Sequence, residues 1–187
     1  RENKFDDFDD QKLPMYMVFW GTPAKDCWKI EDSCLKLKCI RQRLDDDLEQ
    51  MKMDGILADD KYVAFVSRRQ CAMDAVITAA VKFYPEGQES AGIAAVQAMN
   101  HQIHIERACE DGKQVVRVVV ITADYIQPPY FPGFTSTTNR EIICSEAYDK
   151  SEIILQLDMQ HEDFCIRYGE SEEELKELCR IDGAVIN

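Results

Sequence analysis

Residues 62–85 read YVAFVSRRQCAMDAVITAAVKFYP, and the fold prediction depends on this stretch. Tyr62 to Val66 is a short aromatic and β-branched run that predicts a strand. After Cys71, an alanine-rich segment places apolar residues at helical spacing until Pro85, which predicts a helix. Cys71 would therefore lie at the N-terminus of a helix.

That position would make Cys71 reactive. The positive end of the helix dipole, together with Arg68 and Arg69, would lower the pKa of the thiol and favour the nucleophilic thiolate. The alternative is that Cys71 is an unreactive residue packed in the core, because free cysteine is among the residue types most often buried in protein cores. The stretch alone leaves both interpretations open.

Composition limits the classes of function. The chain has 187 residues and is 45% hydrophobic, which predicts one soluble globular domain. Its 22 basic and 35 acidic residues give a net charge of -13, which argues against nucleic-acid binding and favours a protein partner. No apolar run reaches the length of a membrane span. The first residue, Arg1, indicates a fragment of a longer protein.

The eight cysteines predict reduced thiols rather than a disulfide framework or a zinc site. Cys27, Cys34 and Cys39 are the closest set, but they form no C-x-x-C pair and no histidine follows them. Without a signal peptide, the thiols indicate an intracellular protein, cytoplasmic or nuclear. Neither a metal nor a cofactor is predicted.

The predicted domain organisation has two parts. Residues 1–12 carry four aspartates and predict an acidic, flexible N-terminus, and residues 13–187 predict a single globular domain. Apolar residues from Ile30 to Met51 predict a long amphipathic helix. Residues 90–100 predict a further helix, and residues 169–187 a C-terminal helix and tail.

These helices accompany a set of predicted strands. The fold class is therefore α/β, of the α+β kind, with a central sheet of about five strands flanked by helices. His101 and His104 would lie near the end of the second helix, where an i, i+3 pair can share a face and bind a metal. The alternative is a plain helix end, where an imidazole is electrostatically favourable. The predicted strands are residues 15–20, 62–66, 114–123, 140–145, 152–159 and the second half of 160–168.

A catalytic constellation follows from the chemistry of thiolates. A thiolate nucleophile needs a base and a third group that orients the base. His161 follows a predicted strand, and Asp163 would point to the same side of an extended backbone. Cys71, His161 and Asp163 together predict a cysteine hydrolase.

The order of these elements over residues 40–168 resembles the ovarian-tumour (OTU) family of ubiquitin-removing cysteine proteases. The resemblance implies a papain-like architecture in which Cys71 attacks, His161 takes its proton and Asp163 holds the imidazole. The family usually has Asp-Gly-x-Cys before the helix, whereas this chain has Arg68 and Arg69 there. Gln70 can donate to the oxyanion in place of the usual turn.

Two functions are compatible with the resemblance. One is a hydrolase that removes ubiquitin or a similar protein tag through an acyl-enzyme. The other is an inactive OTU-like domain that serves as a protein–protein interaction module in a larger protein, since two arginines replace the family's acid and glycine. A third possibility is an unrelated α+β binding domain in which Cys71 is buried. The loop of residues 125–134 would cover a functional site, form the rim of a partner-binding surface, or simply cover the hydrophobic core.

Overall fold

The computed structural model describes residues 5–24, 26–46, 62–125 and 136–186. These residues form twelve β-strands and two short 3-10 helices, and they contain no α-helix. The chain divides into two compact units, Arg1–Cys71 and Ala72–Asn187. In the described ranges, no helix is long and apolar enough to cross a membrane.

The first unit contains two small antiparallel sheets. Strand β1 (Met17–Gly21) pairs with β4 (Tyr62–Arg68), and β2 (Trp28–Glu31) pairs with β3 (Cys34–Leu37). The two residues between β2 and β3 both have positive φ, as a type I′ hairpin requires. The loop thus matches the right-handed twist of its strands.

The second unit contains two four-stranded antiparallel sheets, with strand orders β12-β11-β10-β5 and β6-β7-β8-β9. Most neighbouring strands are consecutive hairpins, whereas β5 pairs with β10 across a long sequence separation. The elements are β5 Ala75–Lys82, β6 Ala91–Ala98, β7 His101–Glu110, β8 Lys113–Tyr125, β9 Ser136–Ala147, β10 Glu152–Gln160, β11 Asp163–Gly169, β12 Lys176–Asp182, and the 3-10 helices Glu172–Glu174 and Gly183–Ile186.

The core of this unit lies between the two sheets. Alternate residues of each strand point inward, so Leu155 and Leu157 of β10 face Ile103 and Ile105 of β7 within one buried cluster. Phe164, Ile166 and Tyr168 of β11 complete the same cluster with three more inward side chains. Two sheets that bury a shared apolar interior form a β-sandwich.

Two glycines are required by the backbone of the β6–β9 sheet. Gly112 follows Asp111 in the β7–β8 turn, and both have positive φ, which is the Asp-Gly pattern of a type I′ hairpin. Gly92 of β6 lies against β7, where an added Cβ would be 1.9 Å from the carbonyl oxygen of Ile105. Strands β6 and β7 can therefore approach this closely only with glycine at position 92.

The predicted α/β fold with helices around a central sheet, of the papain-like type, is wrong. The segment after Cys71 forms strand β5, and the predicted helix at residues 90–100 is mostly strand β6. The predicted helix from Ile30 to Met51 begins instead with strands β2 and β3, and its residues 47–51 lie outside the described ranges. The C-terminal region contains strand β12 rather than an α-helix.

Several strand predictions are confirmed. Residues 114–123 lie within β8, residues 140–145 within β9 and residues 152–159 within β10. The predicted boundary after residue 12 stays a prediction. The loop at residues 125–134 lies outside the described ranges, apart from its first residue at the end of β8.

Candidate functional site

The outer face of the β6–β9 sheet carries a group of buried, hydrogen-bonded polar side chains. On β7 the even-numbered residues Gln102, His104 and Glu106 point away from the sandwich interior, because side chains alternate along a strand. They are nevertheless buried, with 0%, 7% and 6% of their surface exposed. A buried polar side chain must find hydrogen-bond partners, and these do.

Glu106 is the centre of this group, which we call the Glu106 cluster: Ser90, Glu106, Glu110, Arg117 and Arg140. Arg117 donates to Glu106 Oε1 from Nε at 2.9 Å and from Nη2 at 2.7 Å, and Arg140 Nη2 donates to the same oxygen at 3.2 Å. Ser90 Oγ donates to Glu106 Oε2 at 2.9 Å. Strand register places Arg117 directly opposite Glu106, so the pairing follows from the β7–β8 hairpin.

Arg117 also reaches a second carboxylate. Its Nη1 donates to Glu110 Oε1 at 3.0 Å, and Ser145 Oγ donates to Glu110 Oε2 at 2.9 Å. Burial alone would lower the pKa of Arg117, but the hydrogen bonds and charges of Glu110 and Glu106 outweigh it and raise that pKa. The guanidinium is therefore a permanent cation between two acids.

The chemistry open to this cluster is limited. A hydrolytic pair of carboxylates needs one group that can give up a proton and an open space for the substrate between them. Both oxygens of Glu106 already accept hydrogen bonds, and its side chain is buried. The cluster therefore joins strands β7, β8 and β9 rather than acting as an acid or a nucleophile.

His104 extends the same polar face. Its Nε2 lies 2.6 Å from Gln102 Oε1, while Nδ1 lies 4.0 Å from Glu106 Oε2. Gln102 Nε2 donates to the carbonyl oxygen of Met99 at 2.6 Å, which fixes the amide orientation. His101 and His104 are three residues apart on a strand and so lie on opposite faces, which overturns the shared helical face behind the metal interpretation.

Arg107 is the charged residue on the inward face of β7, and it is fully buried. Its Nη1 donates to the carbonyl oxygens of Val115 at 3.1 Å and Tyr148 at 2.6 Å, and Nη2 donates to that of Lys150 at 2.9 Å. The guanidinium also lies 4.7 Å from the centre of the Tyr148 ring. Burial lowers the pKa of Arg107. Arg107 therefore holds the loop between β9 and β10 in place. The sequence analysis did not identify this residue.

A second group of contacts joins the two sheets where β9 lies near β12. Tyr168 donates its hydroxyl to Glu146 Oε2 at 2.5 Å, and Lys176 Nζ donates to the same oxygen at 2.9 Å. Cys144 of β9 and Cys179 of β12 both pack against the buried cluster nearby. Interaction with the Cys179 thiol lowers the pKa of Cys144, whereas interaction with the Cys144 thiol, together with burial, raises the pKa of Cys179.

Cys71 and Gln70, two residues of the predicted catalytic site, belong to the first unit. Cys71 is exposed in the segment after β4, and its Sγ lies 3.5 Å from the carbonyl oxygen of Arg69. No helix begins there, since the next element is strand β5. The helix dipole invoked for the reactivity of Cys71 is therefore absent.

His161 and Asp163 belong to the second unit and do not pair with each other. His161 lies in the β10–β11 turn with φ of 55°, and its Nδ1 is 3.1 Å from Asp74 Oδ1. Asp163 instead accepts a hydrogen bond from Arg180 Nη1 at 2.7 Å. The assumption of an extended backbone from His161 to Asp163 is wrong, because the chain reverses direction at residue 161.

The catalytic roles predicted for Cys71, Gln70, His161 and Asp163 required a helix after Cys71 and a contact between His161 and Asp163. The structure has a strand after Cys71, and it pairs His161 with Asp74 and Asp163 with Arg180. A shallow, open depression lies beside Asp163, lined by Glu162, Arg180, Ile181 and Asp182. Within the ranges that the structure describes, no group of three histidine, cysteine or acidic residues is arranged to hold a metal ion.

The paired antiparallel sheets and their shared interior define the second unit as a β-sandwich domain. Residues 5–186 match the family described as the beta-xylosidase C-terminal concanavalin A-like domain. The match covers nearly the whole chain, and the chain belongs to this family. A search of curated proteins gave no match.

Solved structures share the fold. The GH43 protein BlXynB of Bacillus licheniformis superposes with a TM-score of 0.76 at 17% identity, over 100% of this chain and 32% of that chain. A xylan beta-1,4-xylosidase of Bacillus halodurans C-125 gives 0.74 at 16% identity, again over 100% and 32%. The xyloglucan-locus protein GH43B of Bacteroides ovatus gives 0.68 at 17% identity, over 97% and 31%. The chain thus spans about a third of the length of these proteins.

These findings overturn the resemblance to the OTU family. The family match and the all-β fold exclude an OTU-like hydrolase that removes ubiquitin, and equally an inactive OTU-like interaction module. The chain corresponds to one domain of the larger proteins that it resembles. This agrees with the prediction that it is part of a longer protein.

Proposed function

We propose that the chain is the C-terminal accessory domain of a GH43 glycoside hydrolase, in which a separate catalytic domain cleaves β-xylosidic bonds. The observation that carries the proposal is the family match over residues 5–186, to a domain described by its place at the C-terminus of a beta-xylosidase. The superposition of the full chain on about a third of the GH43 protein BlXynB and of a xylan beta-1,4-xylosidase supports it.

The chemistry of the described residues also supports an accessory role. Among the described residues, the most buried carboxylate is that of Glu106. It accepts hydrogen bonds from Arg117, Arg140 and Ser90, so it cannot protonate a leaving group without breaking those bonds. Glycoside cleavage would then fall to carboxylates of the other domain. The interaction partner that we propose is this catalytic domain, in place of ubiquitin. The intracellular location inferred from the thiols stays a prediction.

The proposal is tested with three proteins. They are the isolated 187-residue chain, the intact protein that contains it, and the intact protein with this chain deleted. We expect the intact protein to hydrolyse 4-nitrophenyl β-xyloside and the isolated chain to show no activity above the buffer control. We expect the deletion to lower the thermal stability of the catalytic domain or its kcat/KM.

Two results would contradict the proposal. Hydrolysis by the isolated chain would give it a catalytic site of its own. An intact protein that acts on none of the β-xylosides, arabinosides or xylo-oligosaccharides would remove the link to a glycoside hydrolase. Glu106→Gln in the isolated chain is the matched control. If the isolated chain hydrolysed the substrate, this variant would show whether the activity depends on the Glu106 carboxylate, provided that the variant is still folded.

A further inference from the structure

Arg68 and Arg69 are the only two basic residues that are adjacent in the sequence of this chain. Strand β4 ends at Arg68, and strand β5 begins at Ala75. The peptide bond between Arg69 and Gln70 therefore lies in the segment that connects these strands. In a chain with a net charge of -13, the pair is a local concentration of positive charge.

The segment that carries the pair is exposed and irregular. Residues 68–73 are all exposed to solvent, and neither a strand nor a helix forms after Arg68 until β5 begins. The Cys71 thiol lies 3.5 Å from the carbonyl oxygen of Arg69, and the Arg68 guanidinium lies 5.1 Å from the centre of the Tyr16 ring. Neither contact is a strand pairing, so the segment can enter an active-site cleft after little local unfolding.

The residues before the bond are already extended, as a protease requires of its substrate. Ser67 pairs with Val18 of β1, and Arg68 pairs with Met17 at the end of the same ladder. Among the described residues, β4 has no second strand beside it. An extended segment at a sheet edge can form main-chain hydrogen bonds with an added strand, which is one way in which a cleft binds a peptide.

The position of the bond also respects the division of the chain. The first compact unit ends at Cys71, just after the bond. Strands β1 to β4 pair only among themselves in the described ranges, and so do strands β5 to β12. Cleavage between Arg69 and Gln70 would therefore break no strand and no strand pairing that the structure describes.

We propose that the bond between Arg69 and Gln70 is a processing site for a serine protease that requires two consecutive basic residues. Such a protease holds Arg68 and Arg69 in acidic subsites, because a guanidinium forms strong, directional hydrogen bonds with carboxylates. Cleavage divides the chain into residues 1–69 and 70–187. This inference does not depend on the proposed role in a glycoside hydrolase.

The reaction is the hydrolysis of one amide bond. The serine of the protease attacks the carbonyl carbon of Arg69, and the C–N bond to Gln70 breaks as the nitrogen takes a proton from the histidine of the protease. Water then attacks the acyl-enzyme, gives its hydroxyl group to the Arg69 carbonyl carbon and returns a proton to the serine through the histidine. The products are a carboxylate on Arg69 and a free amino group on Gln70.

The test uses the full 187-residue chain and a kexin-type serine protease, which cleaves after paired basic residues. A synthetic peptide of residues 64–75 supplies the same bond without the fold. Because opening of the segment is fast, the ratio of the two kcat/KM values measures the fraction of chains in which the segment is open. We expect one cut, a new N-terminus at Gln70 by mass spectrometry, and a kcat/KM within about tenfold of that of the peptide.

Two kinds of variant test the arginine pair itself. Arg68→Gln and Arg69→Gln each leave one acidic subsite of the protease without its cation, and each should slow the cut by at least about a hundredfold. Arg68→Lys keeps a cation at the same position and should be cut as readily as the unchanged chain.

Glu177→Arg is the matched control for exposure. It places an arginine after Lys176 within strand β12, where both positions are exposed but the backbone pairs with β11. We expect the bond after position 177 to be cut at least about a hundredfold more slowly than that after Arg69, because the strand must open first. Circular dichroism checks that the variant folds.

Three results would overturn the proposal. The first is a folded chain that is cut more than about tenfold more slowly than the peptide, which would show that the segment is protected. The second is cleavage of Arg69→Gln at the rate of the unchanged chain. The third is cleavage of the folded Glu177→Arg variant at equal rates after positions 69 and 177.

Discussion

Between residues 102 and 106, the two faces of strand β7 are both buried, but they are made from opposite kinds of side chain. Ile103 and Ile105 point into the sandwich and contact other apolar residues, whereas Gln102, His104 and Glu106 point outward and are held by hydrogen bonds. Alternation along a strand usually separates buried from exposed residues. Here it separates two buried environments.

The difference shows what each face requires of the sequence. Apolar burial is non-directional and depends on the area removed from water, so the inner face needs apolar side chains of the right total volume. The outer face needs specific donors and acceptors, because a buried charge that loses its partner keeps the full cost of desolvation. Substitutions chosen for each face should therefore fail for different reasons.

The largest effect is expected on the inner face. Ile105→Ala should lower the free energy of unfolding by roughly 4 kcal/mol, because it removes a fully buried side chain and leaves a cavity. Ile77→Ala makes the same chemical change at a residue that is 40% exposed and should cost less than about 1.5 kcal/mol. Urea unfolding measures both, and equal costs would contradict a core centred between the sheets.

The next effect tests the outer face. Glu106→Gln should cost about 3 kcal/mol, because Arg117 and Arg140 lose their shared buried carboxylate. Glu110→Gln is the matched control, since its side chain is 30% exposed and also bonds Arg117, and it should cost about 1 kcal/mol or less. If the two variants unfold at the same urea concentration, burial does not distinguish these carboxylates.

A smaller effect is expected for Arg107, the cation on the inner face of β7. Arg107→Lys keeps the charge but cannot donate to three carbonyl oxygens at once, so it should cost roughly 2 kcal/mol. Hydrogen exchange should become faster at Tyr148 and Lys150 in the loop that Arg107 holds. Arg167→Lys, a half-buried arginine on the other sheet, should leave exchange in that loop unchanged.

The smallest effect depends on pH. The hydrogen bond from Tyr168, and then that from Lys176, lower the pKa of Glu146 below its usual value. The carboxylate therefore adds stability above about pH 4.3, and this contribution is lost as the pH falls through the lower folded pKa. Glu146→Gln should cost a few tenths of a kcal/mol at pH 7, because the side chain is 43% exposed.

That small difference should shrink as the pH is lowered below about 4, as followed by unfolding at a series of pH values. Tyr168→Phe removes the main donor, so Glu146→Gln should have less effect in that background at every pH. A cost that is constant from pH 7 to pH 3 would show that the charge of Glu146 does not contribute.

Strong β-propensity could be read from the sequence. The valine run of β8 and the alternating residues of β10 predicted their strands because both are rich in β-branched or aliphatic side chains. The alanines of β5 and β6 misled the prediction, since alanine favours helices by only tenths of a kcal/mol and packing in the sandwich overrides it. The helix predicted from Ile30 failed for a related reason, because the local turn at Asp32 and Ser33 makes a hairpin.

The polar sites were harder to predict. The pairing of Glu106 with Arg117 follows from the register of the β7–β8 hairpin, and the turn at Asp111 and Gly112 was the one local pattern that could have revealed it. Arg140 and Tyr148 come from distant parts of the chain, so their contacts depend on the whole topology. Cys71 was predicted to be reactive because it follows Arg68 and Arg69 and would begin a helix. That helix does not form, since strand β5 follows instead.

The topology of β5 also sets an order of events during folding. The β6–β9 sheet consists of consecutive hairpins, so each strand can pair as soon as its neighbour is available. Strand β5 pairs with β10, and the Thr78–Gln156 hydrogen bond joins residues 78 positions apart. During synthesis on the ribosome, β5 must therefore wait until β10 has emerged, and its alanine-rich sequence stays unpaired in the interval. Pulsed hydrogen exchange during refolding should protect β7 and β8 before β5.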